Sequence, residues 1–228
     1  MVQECSGLWA CRASLPRDRA VTVLLRHAER DEPSHGGEVP ADAPLTSQGR
    51  DRAKQLGFLM AAELQSLRCS PVLRCRQTAD AILEGARQSM ALSWIDDRHL
   101  GDPGVFIIDE DVAGRNWQRL GVAGVNRHFM QGEGTLPGMA SPETAVPKLI
   151  RHMFECAGPE VGLHVFVTHD YLVGATARYC LGEKLSDETW PGFLECVVLW
   201  QESDGVCFRY QGGRQGHLPG LRLADAQL

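Results

Sequence analysis

Four basic side chains stand where an apolar segment ends or where a helical pattern begins. They are Arg26 and His27, Arg74, and His169. A guanidinium group carries a permanent charge and a fork of donors that fits phosphate oxygens, and an imidazole can act as a nucleophile or a proton donor. This combination of residue types is suited to binding a phosphate group and attacking its phosphorus atom.

The segments before these side chains have the pattern of buried strands. The runs 21–25 and 163–167 are nearly continuous apolar, β-branched stretches, typical of strands covered on both faces. Arg74 stands near the start of a helix predicted over 74–87. In an open α/β sheet the ligand site lies beyond the carboxyl ends of the strands, so we expect the four side chains to meet at one rim.

The remaining pattern completes the prediction of the fold. Helices are expected from Thr46 to about Leu64, from Ser141 onward and over 171–180, with short strands at 67–70 and 91–95. Two strands, 193–201 and 206–211, flank the turn Asp204-Gly205 and predict a hairpin. The class is therefore α/β: a three-layer α/β/α sandwich with a mostly parallel central sheet. Residues 1–18 are expected to be an N-terminal extension, and residues 19–228 one domain.

The segment from Asp96 to Ala140 is rich in glycine and lacks a sustained period, apart from a possible short helix over 112–120. Long irregular segments in compact domains are often lids or specificity loops. We therefore expect this segment to select the substrate.

Composition excludes several classes of protein. The chain has 228 residues, 43% of them hydrophobic, and a formal net charge of -6, which disfavours nucleic acid as a partner. Its eight cysteines are widely and irregularly spaced, which favours free thiols, and no zinc-binding motif is apparent. Neither a signal peptide nor an apolar stretch long enough to span a bilayer is visible. A cytoplasmic protein without membrane contact is expected.

Five short motifs resemble, in the same order, those of the histidine phosphatase superfamily in its phosphoglycerate-mutase-like branch (branch 1). They are Arg26-His27-Ala28, Pro44–Gly49, Ser70–Thr78, Leu100-Gly101-Asp102 and Thr168-His169-Asp170. Each motif alone has low specificity, but the ordered set extends over nearly the whole chain. The resemblance implies a histidine-phosphatase-like domain.

The resemblance assigns a role to each basic side chain. His27 corresponds to the nucleophile, whereas Arg26, Arg74 and His169 correspond to the groups that bind phosphate and stabilise its developing charge. Asp102 is the nearest counterpart of the family's general acid, which is a glutamate. Other acidic residues in the same region remain alternatives for that role: Asp96, Asp97, Asp109, Glu110 and Asp111.

The chain departs from the family pattern at several positions. Pro33 stands where some members carry an asparagine that touches phosphate, so Arg30, His35 or a backbone amide would have to take its place, and Arg30 is the candidate substrate-binding residue. Ala28 replaces a glycine, which is tolerable if its φ is negative. Asp170 also replaces a glycine, and its charge is expected to raise the pKa of His169 and favour the cationic imidazole.

These observations predict a metal-independent phosphomonoester hydrolase that acts through a phosphohistidine on His27. The scheme requires no cofactor and no metal, and the substrate is a small phosphomonoester or a phosphoprotein. One alternative is a phosphomutase of the phosphoglycerate mutase type. Another is a non-catalytic module on the same fold that binds phosphate or a partner. The pattern leaves the physiological substrate and the oligomeric state open.

Overall fold

The structure, a computed structural model, describes residues 8, 12–31, 40, 42–86, 92–132, 134–211 and 213–221. Within these residues the chain forms seven strands and five α-helices. The strands are β1 (Ala20–Arg26), β2 (Leu64–Cys69), β3 (Trp94–Asp96), β4 (Gly162–Thr168), β5 (Cys196–Glu202), β6 (Gly205–Tyr210) and β7 (Arg214–Pro219). The helices are α1 (Ser47–Met60), α2 (Leu73–Ala86), α3 (Glu110–Gln131), α4 (Pro142–Ala157) and α5 (Asp170–Leu181).

The strands form one sheet in the order β3-β2-β4-β1-β5-β6-β7. Strands β3, β2, β4 and β1 run parallel to one another, whereas β5 pairs antiparallel with β1, and β6 and β7 continue the sheet with antiparallel pairs. The α/β class is confirmed, as is the hairpin, whose strands meet at Gly205. Strand β7 was not predicted, because its sequence, Arg-Gln-Gly-His-Leu-Pro, lacks the β-branched residues that mark strands.

Helices cover both faces of the sheet because the central strands are apolar on both sides. On β1, Val23 packs with α1 and α2, whereas its neighbour Leu24 points to the opposite face and packs with α3, α4 and α5. On β4, Val165 packs with α1 and α2, and Phe166 packs with α3, α4 and α5. Alternate residues of a strand point to opposite faces, so a continuous apolar run belongs in the middle layer. The predicted three-layer arrangement is confirmed.

The prediction of an irregular segment between Asp96 and Ala140 was wrong for its central part, which forms the 22-residue helix α3. Its N-cap is Asp109, whose carboxylate accepts a hydrogen bond from the backbone N–H of Val112. The helix is interrupted at Gly121, where φ is 65°. This break shifts the helical phase, so the apolar residues on its two sides do not share a single period. The predicted short helix is its first half.

The described part of the N-terminal extension packs on the domain. Leu8 and Leu15 are buried with the residues of α1 and α2, and Arg12 forms a 2.7 Å ion pair with Glu63. The division at residue 18 stays a prediction. Among the described cysteines no disulfide forms. Within the same residues, no helix has both the length and the apolar character required to cross a bilayer.

Candidate active site

The register of the central strands brings their carboxyl ends to the same level. Arg26 at the end of β1 pairs with Thr168 at the end of β4, so His27 and His169 follow at adjacent positions. The backbone N–H of His27 donates to the carbonyl of Thr168 at 2.8 Å. On the other side of β4, the N–H of Ser70 donates to Val167 at 2.9 Å. The expected meeting of three segments at one rim is therefore seen.

His27 is buried, with its two ring nitrogens in different surroundings. Its Nδ1 lies 2.8 Å from the carbonyl oxygen of Ala28, which can only accept, so Nδ1 carries the proton. Its Nε2 accepts a hydrogen bond from Nε of Arg74 at 3.2 Å. Burial, with the nearby positive charges as further causes, holds the pKa of His27 well below its ordinary value. The ring is thus neutral, and its Nε2 lone pair faces the cluster of Arg and His side chains.

Arg74 also contacts the second imidazole. Its Nη2 lies 3.2 Å from Nδ1 of His169, which must accept because a guanidinium only donates. The other nitrogen of His169, Nε2, then carries the proton and donates to Oγ of Ser70 at 3.1 Å. One guanidinium therefore donates to both imidazoles, whose ring centres lie 5.7 Å apart.

Arg26 is buried beside this pair and is held by the segment before β5. Its Nη1 donates to the carbonyl of Pro191 at 2.7 Å, and its guanidinium lies over the ring of Phe193 at 4.1 Å. Nη2 is 3.6 Å from a carboxylate oxygen of Asp170. These contacts fix the guanidinium in one orientation at the rim. Sequence analysis did not identify Pro191 or Phe193, which lie outside the family motifs.

The expectation that Asp170 makes His169 cationic was wrong. Asp170 does raise the pKa of His169, but burial and then the charge of Arg74 lower it more, and the net pKa lies below the ordinary value. The carboxylate of Asp170 is instead paired with Arg26 and accepts a hydrogen bond from Asn126 on α3 at 3.0 Å. Asp170 therefore acts chiefly on Arg26.

Arg30 lies close enough to act on the site by its charge. It is buried, its Nη1 donates to the carbonyl of Asp31 at 2.9 Å, and it lowers the pKa of both Arg74 and His169. Its assignment as a substrate-binding residue stays a prediction, and Pro33, which prompted it, lies outside the described residues.

Asp102 is exposed at the mouth of the site. Its φ is 60°, and its carbonyl accepts a hydrogen bond from Nε of Arg98 at 2.9 Å. The preceding Gly101 lies directly against His169: a Cβ at this position would be 2.8 Å from the imidazole ring. The turn that carries Asp102 is therefore part of the rim, and the charge of the exposed Asp102 raises the pKa of Arg76.

The remaining motif residues hold the site together. Thr78 accepts a hydrogen bond from the N–H of Ala28 at 3.0 Å and donates to the carbonyl of Arg74 at 2.7 Å, which ties the His27 turn to α2. A Cβ on Gly49 would be 2.2 Å from the backbone oxygen of Glu29, so α1 approaches this turn too closely for any other residue. Alanine can replace glycine at position 28 because φ is not positive there. Among the described non-glycine residues, only Asp102 and Leu194 have a positive φ.

Aromatic residues line one side of the site. Tyr171 stacks on His169 with ring centres 6.3 Å apart, and Trp117 of α3 meets Tyr171 edge-on at 5.9 Å. Trp117 is only partly buried, which suits a residue at the wall of a pocket. Phe129 is almost fully buried between Phe106 and Tyr171 and belongs to the core.

The comparisons with known proteins agree with this geometry. The sequence model of the histidine phosphatase superfamily, branch 1, matches residues 22–102. The chain is 18% identical to YhfR of Bacillus stearothermophilus (TM-score 0.55, covering 88% of this chain and 96% of that one). It is also 18% identical to a phosphoglycerate mutase from Bacillus anthracis (TM-score 0.53, covering 91% and 96%). A mycobacterial glucosyl-3-phosphoglycerate phosphatase is 16% identical (TM-score 0.52, covering 88% and 98%).

No curated protein sequence matches the chain. The family match includes His27, Arg74 and Asp102, and the fold likeness extends the comparison to the half of the chain that carries His169. The chain is therefore similar to the histidine phosphatase superfamily, branch 1, in sequence over residues 22–102 and in fold over most of its length.

The lowered pKa of His169 predicts how stability depends on pH. The unfolded chain has a histidine pKa of about 6.5, so as pH falls below this value the unfolded state binds the proton first and unfolding is favoured. The free energy of unfolding of wild type should fall as the pH drops below about 6.5. In His169→Asn this fall should be smaller, by up to about 1.4 kcal/mol per pH unit. Urea unfolding at a series of pH values measures this slope. His128→Asn, on α3, controls for the loss of an imidazole, and equal slopes in wild type and His169→Asn would contradict the assignment.

Proposed function

We propose that this chain is a phosphomonoester hydrolase that forms a phosphohistidine on Nε2 of His27. The observation that carries the proposal is the single guanidinium of Arg74 that donates to both His27 and His169, with Arg26 beside them. This arrangement offers an in-line nucleophile and several donors to one tetrahedral anion.

The first chemical step uses the tautomer described above. Nε2 of His27 attacks phosphorus, the bond from phosphorus to the ester oxygen breaks, and the leaving oxygen takes a proton from a carboxylic acid. The ring becomes a cation as it is phosphorylated. The carbonyl of Ala28, 2.8 Å from Nδ1, accepts a hydrogen bond from the Nδ1–H group and so stabilises that cation.

The guanidinium groups stabilise the charge of the transferring phosphoryl group. Arg74 exchanges its bonds to the two imidazoles for bonds to phosphate oxygens, and Arg26 supplies a second charged donor. A bound phosphate would raise the pKa of His169, so that the ring takes up a proton at Nδ1. The new Nδ1–H group then donates a hydrogen bond to a phosphate oxygen. In the second step water attacks phosphorus, the bond to Nε2 breaks, and inorganic phosphate leaves.

Asp102 is our candidate for the general acid of the first step and the base of the second. Its position next to Gly101, which touches His169, supports this role, because the turn follows the rim of the site. The carboxylate faces solvent at the mouth of the pocket, the side from which a leaving group departs and water enters. The substrate class is a small phosphomonoester or a phosphoprotein, whose remainder would lie against Trp117 and Tyr171.

Two other functions fit the same fold. The likeness to a phosphoglycerate mutase supports a phosphomutase as the second candidate, which would need to retain its phosphorylated histidine between half-reactions. A non-catalytic phosphate-binding module would bind phosphate without turnover. The exposed position of Asp102 favours hydrolysis, because a retained phosphohistidine requires exclusion of water.

Substitution of the nucleophile gives the first test. We expect wild type to hydrolyse p-nitrophenyl phosphate and His27→Ala to fall to the uncatalysed rate, because the variant lacks the nitrogen that forms the phosphohistidine. Arg74→Lys keeps the charge but loses the fork of donors, and we expect it to lower kcat by about 10²–10³-fold. His217→Ala on β7 is the matched histidine control. Activity retained by His27→Ala would refute the proposal, and a burst without turnover in wild type would favour the mutase.

The leaving group gives a separate test of Asp102. A general acid matters most for a leaving group that is a poor anion, so Asp102→Asn should slow hydrolysis of an alkyl phosphate far more than that of p-nitrophenyl phosphate. The measurement is kcat/KM for both substrates in wild type and in the variant. Asp109→Asn, at the N-terminus of α3, serves as the control acidic residue. Equal slowing of the two substrates would remove Asp102 from the role of acid.

A further inference from the structure

A second group of reactive side chains lies away from the residues that bind phosphate. Asp97, which follows β3, meets two residues of α4, His152 and Cys156. One donor atom from each of the three residues lies within 4.8 Å of the others. We propose that these three side chains form a binding site for a divalent ion of the zinc class.

The two helical donors are arranged for a shared ligand. His152 and Cys156 are four residues apart on α4, so they stand one above the other on the same face of the helix. Sγ of Cys156 lies 3.6 Å from Nε2 of His152. Tetrahedral zinc with bonds of about 2.1 Å to nitrogen and 2.3 Å to sulfur places these donors about 3.6 Å apart. The observed separation therefore already suits a common ion.

The third donor is held in place by His99. Asp97 is buried, and its Oδ1 accepts hydrogen bonds from the N–H of His99 at 3.0 Å and from its ring at 3.1 Å. The ring of His99 stacks on His152 with centres 3.9 Å apart, so it orients both donors. Oδ2 of Asp97 faces His152 at 2.6 Å. Such support of a metal ligand by a neighbouring group is usual in metal sites.

Binding requires small changes in protonation and distance. The Nε2 proton that His152 now donates to Asp97 would move to Nδ1 through solvent, and the thiol of Cys156 would release its proton to solvent. Oδ2 and Nε2 would separate from 2.6 Å to about 3.4 Å, the spacing of oxygen and nitrogen around tetrahedral zinc. Arg68 lies 3.9 Å from Oδ2, and its charge opposes the ion, so this side chain would turn toward solvent.

The mixture of donors selects the class of ion. Thiolate and imidazole favour zinc and its borderline neighbours, whereas Mg²⁺ and Ca²⁺ prefer oxygen ligands alone. Three protein ligands leave a fourth position for water. Because Asp97 begins the 3-10 helix Arg98–Leu100, an ion here would join α4 to the segment that leads to Gly101 beside His169.

Titration of zinc chloride into the metal-free full-length protein tests this site. Calorimetry should show one tight equivalent, and zinc should raise the Tm of wild type. We expect Cys156→Ser and His152→Gln each to weaken this binding by more than about 100-fold, since loss of a supporting residue alone costs about 10–100-fold. Arg68→Gln should tighten binding, because it removes an opposing charge. Cys207→Ser, another partly buried thiol, should bind as wild type does.

Cobalt identifies the thiol independently of affinity. Co²⁺ added to wild type and to Cys207→Ser should produce a thiolate charge-transfer absorption that is missing in Cys156→Ser, with circular dichroism showing that each variant is folded. His27→Ala should keep the zinc equivalent, so that failure of the hydrolase proposal and failure of this one are distinguishable. Two results would overturn the proposal: zinc binding that is unchanged in Cys156→Ser and His152→Gln, or no saturable zinc binding by wild type. Asp97 would then be only a helix cap paired with His152.

Discussion

The contacts of Arg74 with two neutral imidazoles organise the whole site. A guanidinium is always charged, and a second positive charge on either ring would be repelled at hydrogen-bond distance. Burial lowers the pKa of both His27 and His169, which keeps the rings neutral and able to accept from Arg74. The proposed nucleophile, Nε2 of His27, is thus unprotonated at neutral pH because the ring is buried.

This arrangement places more positive than negative charge in a buried rim. Among the described residues, Arg26 and Arg74 face the site, and Asp170 pairs with Arg26. Buried charge without a counter-charge is costly, so the site is most stable when an anion is present. A phosphate dianion supplies that counter-charge and offers oxygens to both guanidinium groups at once. The energetic cost of these buried charges in the free protein and the proposed affinity for phosphate therefore have the same physical origin.

Much of this site could be predicted from sequence because it depends on local rules. Buried parallel strands read as apolar runs, and the residue after each strand must lie at the carboxyl rim, so His27 and His169 could be placed before any coordinates were known. The pKa of His169 could not be predicted in this way. It depends on the balance between Asp170 and Arg74, and the partner of Asp170 proved to be Arg26.

Features that depend on contacts between residues distant in sequence could not be predicted. The full length of helix α3 could not be predicted, because Gly121 interrupts its helical period. The contact of Phe193 with Arg26 could not be predicted either, because it depends on how the segment before β5 packs at the site. The spacing of His152 and Cys156 was visible, but their third partner, Asp97, is 55 residues before His152, and only the packing of α4 near the end of β3 brings them together.

The most direct test of the account is a crystal structure of the protein with vanadate. The account predicts that vanadium lies within bonding distance of Nε2 of His27, with its oxygens accepting hydrogen bonds from Arg26, Arg74 and His169. Arg74 should then have exchanged its contacts with the two imidazoles for contacts with the anion. Vanadate bound elsewhere, or a site in which Arg74 still donates to both rings while the anion lies outside, would contradict it.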